Sequence, residues 1–209
     1  PKFHFTRAAG YAFAAQFNLY YCNFEKAISY ADKVLGANSA SDLRDWTSFY
    51  DLTANGQTAP NAYVSTSENA NILLVNYYSQ WGVFYGPYNA GNEYAHGRLL
   101  AQNEDLQSRG PWGSSSTFGY TTWYNGNLSK YFVNKIPYSF ETTDQQAQIG
   151  IAHCELPVLN TDKLLLVRAE AKALVGDYDG AVADLNLELK AFSSGRMSTS
   201  LSAINTFYD

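Results

Sequence analysis

Apolar residues recur at helical spacing near both ends of the chain, and each stretch predicts a pair of helices joined by a sharp turn. The predicted helices span about 6–21 and 24–35 in the first hairpin, and about 162–175 and 178–191 in the second. The second helix of each hairpin carries apolar residues at i, i+3, i+4, i+7 and i+11. These residues are Phe24, Ala27, Ile28, Ala31 and Leu35 in the first hairpin, and Tyr178, Ala181, Val182, Leu185 and Leu189 in the second.

The ends and contact faces of these helices also have sequence signals. Thr161 is the predicted N-cap of the third hairpin helix, and Asp162 places a negative charge where the helix dipole favours it. Gly176 is the predicted stop, because glycine tolerates the left-handed conformation. Small residues allow the helices to approach closely, and these are Ala15, Ala27, Ala169 and Ala181. The pattern is typical of tetratricopeptide-type hairpins, each of which leaves one apolar face to be covered by a neighbour.

A long segment without repeats, residues 37–160, separates the two hairpins. It contains short stretches of strand character, and the chain ends in a helical pattern at 201–208. We expect a short helix at 42–50 capped by Ser41 and loops at 53–61, 79–92 and 109–127. Strands are expected at 131–140 and 151–159, broken by Pro137 and Pro157. The run at 71–78 fits either a strand or a helix, and the stretch at 93–106 is ambiguous. The sequence therefore predicts a mainly α fold, a tetratricopeptide-like α-α superhelix with a long irregular insertion containing short strands.

Composition narrows the classes of partner. Charged residues make up 16% of the 209 residues and the net charge is −5, which argues against nucleic acid and anionic lipid as partners. No apolar run is long enough for a transmembrane helix. Cys22 and Cys154 either form one disulfide or remain two free buried thiols, and the sequence leaves both alternatives open.

The insertion is rich in aromatic residues and poor in charge. Asp51 and Glu68 are the sole charged residues from Trp46 to Asn92, and there are none at 111–129. Aromatic faces match the C–H faces of sugar rings, while neighbouring amides and hydroxyls match sugar OH groups. The competing interpretation is that these rings pack loops against helices. The predicted ligand-binding residues are Trp81, Tyr85, Tyr88, Asn89, Trp112, Trp123, Tyr124 and Asn125.

Three segments together resemble the SusD/RagB family of Bacteroidetes nutrient-uptake proteins. They are the first hairpin region at 3–36, the second at 161–186, and GVFYGPYNAGNEYAHG at 82–97 between them. The chain resembles an internal fragment of that longer family: a single domain fragment, residues 1–209, with hairpins at 5–36 and 161–192 around a ligand-binding insertion at 37–160.

The resemblance implies an outward-facing outer-membrane lipoprotein whose lipid anchor is absent from this chain. It implies binding of an oligosaccharide or other nutrient, docking on a TonB-dependent (SusC-like) transporter through the helices, and no enzymatic activity. The family offers no fixed binding motif to match, so the candidate site residues rest on the aromatic loops alone.

Other functions remain as alternatives. Carboxylates in the insertion show no spacing that marks a glycosidase pair, and His4, His96 and His153 have no metal-ligand spacing. We expect no metal, no organic cofactor and no catalytic turnover. A tetratricopeptide-type interaction scaffold is the second hypothesis and an enzyme the third. Exposed aromatics on the irregular segment favour a small ligand, whereas exposed aromatics on the concave face of the helices favour a peptide partner.

Overall fold

The computed structural model describes the two ends of the chain and parts of the insertion. The described residues are 2–50, 52, 57–79, 96–97, 110–112, 122–125, 130–133, 135–137, 139–193 and 195–209. The description covers the backbone alone at residues 50, 96–97, 122–125 and 130–133.

Helices occupy both ends of the described chain, and antiparallel strands lie between them. The helices are α1 Arg7–Tyr20, α2 Phe24–Leu35, α3 Thr47–Tyr50, α4 Thr58–Tyr63, α5 Thr161–Leu174, α6 Tyr178–Ser193 and α7 Leu201–Tyr208. The strands are β1 Asn71–Tyr78, β2 His96–Gly97, β3 Thr122–Asn125, β4 Lys130–Val133, β5 Ser139–Asp144 and β6 Ile149–Asn160. They form two sheets, ordered β1-β6-β5 and β2-β4-β3. The predicted hairpin helices, the final helix and the presence of strands in the insertion are confirmed.

The two hairpins share one hydrophobic core. Helix α2 packs against α5, and α1 contacts α5 as well. All four predicted small residues are buried, and Ala15 and Ala27 belong to the core that the two hairpins share. The core is built from Ala9, Ala12, Ala15, Leu19, Ala27, Ala31, Leu35, Leu164, Leu165, Val167 and Ala171, closed at the sheet side by Ile72 and Leu159. The predicted contact between the hairpins is confirmed.

An ionic cluster lies inside the second hairpin. The fully buried guanidinium of Arg168 donates to both carboxylate oxygens of Asp184, at 2.9 and 2.8 Å. It also donates to Asp32 on α2, at 2.8 Å, and to the carbonyl oxygen of Gly36, at 2.7 Å. Lys172 Nζ lies 2.9 Å from Asp184. Because these bonds join α2, α5 and α6, the cluster fixes how the two hairpins sit on each other.

The buried face of α6 differs from the predicted apolar stripe. Its buried residues include Ala181, Asp184 and Glu188, while Tyr178 is 54% exposed. The apolar pattern misplaced the face because Arg168 and Lys172 on α5 supply partners for a carboxylate on α6. A buried ion pair can occupy a position that hydrophobicity alone assigns to an apolar residue.

The start of α5 also differs in detail. The N-cap is Asn160, whose side chain accepts a hydrogen bond from the Lys163 N–H at 2.8 Å. Thr161 is the first helical residue, and its hydroxyl donates to the Asp42 carbonyl at 2.8 Å. Gly176 has φ +86°, which confirms the predicted glycine stop.

Three expectations for the insertion were wrong in their bounds. The predicted helix at 42–50 begins at Thr47, because Asp42 has φ +56° and Asp45 caps the Thr47 N–H at 3.1 Å. The predicted loop at 53–61 overlaps α4, which accommodates Pro60 in its first turn, where no helical N–H bond is lost. The predicted loop at 109–127 contains β3.

Strand β6 runs through Pro157, where the sequence predicted a break. Leu74 is the partner of Pro157, and its N–H donates to the Lys2 carbonyl at 2.8 Å instead of to β6. The missing proline N–H therefore falls at a pair that makes no ladder hydrogen bond. Cys22 and Cys154 are both free thiols, so the disulfide alternative is excluded. The expected burial holds for Cys154, whereas Cys22 is exposed.

Candidate functional site

Three of the predicted ligand-binding residues lie on β3. Thr122–Asn125 pairs with Lys130–Val133, so that Trp123 is opposite Phe132 and Tyr124 is opposite Tyr131. Successive residues of a strand belong to opposite faces of its sheet. Trp123 and Asn125 therefore share one face of the β2-β4-β3 sheet and Tyr124 belongs to the other, which divides the predicted set between two surfaces.

Trp112 is half-buried, and its indole ring packs against the backbone of Gly110. A Cβ atom added at Gly110 would lie 2.3 Å from the indole ring, so the ring occupies the space above that glycine. The Thr199 hydroxyl donates to the Pro111 carbonyl at 3.0 Å and ties this turn to the start of α7. Trp112 is thus held in place beside the helical part of the molecule. The other predicted site residues, Trp81, Tyr85, Tyr88 and Asn89, lie outside the described residues.

Helix α1 carries an exposed aromatic surface that the sequence analysis did not identify. We call it the α1 aromatic face, and it consists of Phe13, Phe17, Tyr20 and Tyr21. Their exposed fractions are 55%, 54%, 77% and 68%. Phe17 stacks on Phe13 at 6.3 Å and on Tyr21 at 5.7 Å between ring centroids. With Gln16 these rings line an open groove of about 470 Å³. Contiguous exposed apolar surface of this kind marks a contact site.

A signal for this face exists in the sequence. The aromatic residues lie at i, i+4, i+7 and i+8 from Phe13, while the small core residues of α1 lie on the other side of the same helix. One helix therefore has two apolar stripes, and periodicity cannot say which stripe is covered. The tertiary contacts decide it, because α2 and α5 cover the alanine side.

The most elaborate cluster of buried side chains surrounds Arg44. Its backbone N–H donates to Asp162 at 3.0 Å, and its Nη2 donates to the Asn71 side chain at 2.6 Å. Its guanidinium carbon lies 4.3 Å from the centroid of the Tyr63 ring. Trp46 stacks on Phe192 of α6 at 4.4 Å. These contacts join α3, α4 and β1 to the second hairpin, and they give the cluster a structural role.

Two titratable groups beside this cluster have strongly shifted pKa values. Burial raises the pKa of Glu188 to about 8, and the nearby Asp162 charge adds to that effect. Burial and the charge of Arg44 lower the pKa of Lys135 to about 8. Lys135 Nζ lies 4.6 Å from the centroid of the Trp46 ring. Shifted pKa values often indicate active sites, but these two groups lie under a packed aromatic cluster, so we assign their effect to stability.

Three of the described carboxylates of the insertion have structural partners. Glu68 lies 3.6 Å from Arg44, and Glu141 lies 3.1 Å from His153 Nε2. Asp144 accepts from the N–H groups of Gln146 and Ala147, at 2.9 and 3.0 Å. Within the described parts of the chain, no three His, Cys, Asp or Glu residues form a group that could hold a metal ion. In those same parts, no helix combines the length and apolarity needed to span a membrane.

Comparison with known proteins relates the fold to one solved structure. No family model and no curated protein matches the chain. The structure is similar to that of a SusD-like carbohydrate binding protein from Bacteroides vulgatus ATCC 8482, with a TM-score of 0.55 and 17% sequence identity. The match covers 100% of this chain and 42% of that protein. The chain therefore has a SusD-like fold and spans less than half the length of the protein it matches.

Proposed function

We propose that this chain is part of a cell-surface protein that captures an oligosaccharide or another nutrient and passes it to a TonB-dependent (SusC-like) transporter in the outer membrane. The proposal is supported above all by the SusD-like fold, which extends over the whole of the chain and was independently expected from the residues of both hairpins. It includes a lipid anchor in the full-length protein, a tetratricopeptide-like superhelix formed by the hairpins, and one domain fragment over residues 1–209.

The proposed ligand surface is formed by the two charge-free loops, about 79–92 and 111–125. It comprises Trp81, Tyr85, Tyr88, Asn89, Trp112, Trp123, Tyr124 and Asn125. A ligand on one face of β3 contacts Trp123 and Asn125, and a ligand on the other face contacts Tyr124. A neutral glycan needs contact area and matched hydrogen bonds, and a charged side chain would lose hydration there without gaining an opposite charge. Each stacked ring contributes about 1–2 kcal/mol. Binding is then micromolar to millimolar, which suffices beside a transporter that raises the effective concentration.

A glycan array followed by alanine variants tests this surface. We expect Trp123→Ala to weaken glycan binding about tenfold while leaving the melting temperature nearly unchanged. The matched control is Phe17→Ala, which removes an exposed ring from the α1 aromatic face and should leave glycan binding intact. Failure to bind any glycan, or equal loss from both variants, would contradict the proposal.

A protein-interaction scaffold is the alternative, and the α1 aromatic face favours it. The exposed aromatics that the structure describes include a row on helix α1, and contiguous exposed aromatic surface is suited to contact with a protein partner. Both functions are compatible in a protein that binds a nutrient and also docks on a transporter. If this face is the docking surface, Phe17→Ala should weaken co-purification with the transporter, whereas Trp123→Ala should not.

The proposal includes neither enzymatic turnover nor a metal or organic cofactor. Release of reducing ends from a bound polysaccharide, or a stoichiometric metal in the purified protein, would contradict it. The structural partners of Glu68, Glu141 and Asp144 support this part of the proposal, because each carboxylate already has a role in holding the fold.

A further inference from the structure

A second depression, the α1–β1 cleft, lies between the N-terminal segment, the first hairpin and the start of β1. It is lined among others by Lys2, Arg7, Tyr11, Lys33 and Asp42 and has a volume of about 820 Å³. This volume falls within the roughly 300–1,000 Å³ of small-molecule sites. The cleft shares no lining residue with the α1 aromatic face.

The charge of the cleft opposes that of the protein. Three cationic side chains, those of Lys2, Arg7 and Lys33, line it against the single carboxylate of Asp42, whereas the whole chain has a net charge of −5. The N-terminus of α1 forms part of the wall at Arg7 and Ala8, and no acidic residue occupies its first turn. The positive end of the helix dipole adds to the same potential. An anion is therefore favoured in this cleft.

None of the three cations forms a salt bridge with a described carboxylate. Lys33 Nζ lies 5.0 Å from the ring centroids of both Tyr11 and Tyr30, and the two rings stack at 6.2 Å. Ring faces stabilise an ammonium group but leave its charge available to a ligand. Among the described residues, none accepts a hydrogen bond from the Arg7 guanidinium. Lys2 Nζ donates to the Glu68 carbonyl, a neutral acceptor.

We propose that the α1–β1 cleft binds a saccharide that bears carboxylate groups. The saccharide class rests on the proposed function, whereas the requirement for negative charge rests on the cations of the cleft. Arg7 and Lys33 contact the carboxylate groups, because both side chains are exposed and have N–H donors directed to no carboxylate of the protein. The aromatic loops take neutral sugar rings, so the two sites select different parts of a mixed polysaccharide.

Isothermal titration with a trimer of galacturonic acid tests this site, with the fully methyl-esterified trimer as the uncharged ligand of the same rings. We expect the acid to bind and the ester to bind at least tenfold more weakly. Arg7→Glu and Lys33→Glu should each weaken binding of the acid at least tenfold, which is about 1.4 kcal/mol. Binding should also weaken as salt rises from about 20 to about 200 mM, since screening shortens the range of the attraction.

The matched control is Lys190→Glu, which makes the same charge change at an exposed position of α6 outside the cleft; it should alter binding less than twofold. Arg7→Glu remains informative if Lys33→Glu unfolds, because an acidic residue in the first turn of α1 stabilises the helix. Equal binding of acid and ester, or no effect of Arg7→Glu, would overturn the proposal. Inorganic phosphate that binds as tightly with the same Arg7 dependence would overturn the saccharide class.

Neutral glycans separate this inference from the proposed function. Binding of neutral glycans that depends on Trp123 and not on Arg7, together with no binding of the acid trimer, would overturn the cleft site alone. Binding of the acid trimer that depends on Arg7, with no neutral glycan bound, would support the cleft site and contradict the aromatic-loop site.

Discussion

Glu188 is a carboxyl group enclosed between α6 and the Trp46 cluster, and its environment makes stability depend on pH. Burial raises its pKa to about 8 in the folded protein, whereas in the unfolded chain the pKa is near the ordinary 4.5. Between these two values the folded state binds more protons than the unfolded state. The free energy of unfolding therefore falls as pH rises from about 4.5 to about 8.

We expect Glu188→Gln to remove this dependence. The variant and the wild type should have similar stability near pH 4. At pH 8 the variant should be more stable by on the order of 4 kcal/mol, since the pKa rises from 4.5 to about 8 on folding and each tenfold in proton affinity is about 1.4 kcal/mol. Urea unfolding at several pH values measures the difference. Glu170→Gln, at an exposed position of α5, is the control and should show no such divergence. Parallel curves for Glu188→Gln and the wild type would refute the expectation.

Lys135 acts on stability in the opposite direction and at higher pH. Its pKa is lowered to about 8 from 10.5, so the unfolded state binds more protons between these values and stability rises with pH there. The contributions of Glu188 and Lys135 together place a minimum in stability near pH 8. Single residues such as these were not identified from the sequence, because burial of a charge depends on which segments cover it.

At the scale of elements, α6 shows how a helix can have the predicted position and bounds but bury a different face. Its position follows from local apolar spacing, and Ala181 is buried as expected. Its orientation follows from the bidentate bond between Arg168 and Asp184, which no local pattern reveals. Helix α1 makes the same point, because its alanine side is covered while its aromatic side is exposed.

Close approach of α5 and α6 predicts that Ala181→Leu overpacks the hairpin. We expect a loss of about 1–3 kcal/mol in the free energy of unfolding. Ala183→Leu adds the same side chain to an exposed position of the same helix and should change stability by no more than about 0.5 kcal/mol. Chemical denaturation of both variants gives the comparison, and equal effects would show that helix propensity rather than packing is responsible.

At the scale of the whole molecule, the shared core couples two hairpins that are more than 120 residues apart in sequence. Leu165 on α5 is fully buried in this core. We expect Leu165→Ala to cost about 2–5 kcal/mol and to accelerate amide hydrogen exchange in α1 and α2 as well as in α5 and α6. Leu174→Ala, at a 53% exposed position of the same helix, is the control. An effect confined to the second hairpin would show that the hairpins unfold independently.

The sequence by itself determined where the hairpin helices lie, which small residues they bury and that strands occur between them. These features depend on apolar spacing, side-chain volume and glycine conformation, all of which act over a few neighbouring residues. The residues of the two hairpins also indicated the SusD-like fold, because two hairpins around an aromatic insertion form an unusual order of elements.

The tertiary structure decided which faces are covered and which charges are paired. The Arg168–Asp184–Asp32 cluster joins residues up to 136 positions apart, and Arg44 reaches Asp162 across 118 positions. Electrostatic and packing partners at such separations are brought together by the fold, so the local spacing of residues does not predict them. For the same reason the α1 aromatic face and the α1–β1 cleft emerged from the structure, whereas the aromatic-loop site remains a prediction.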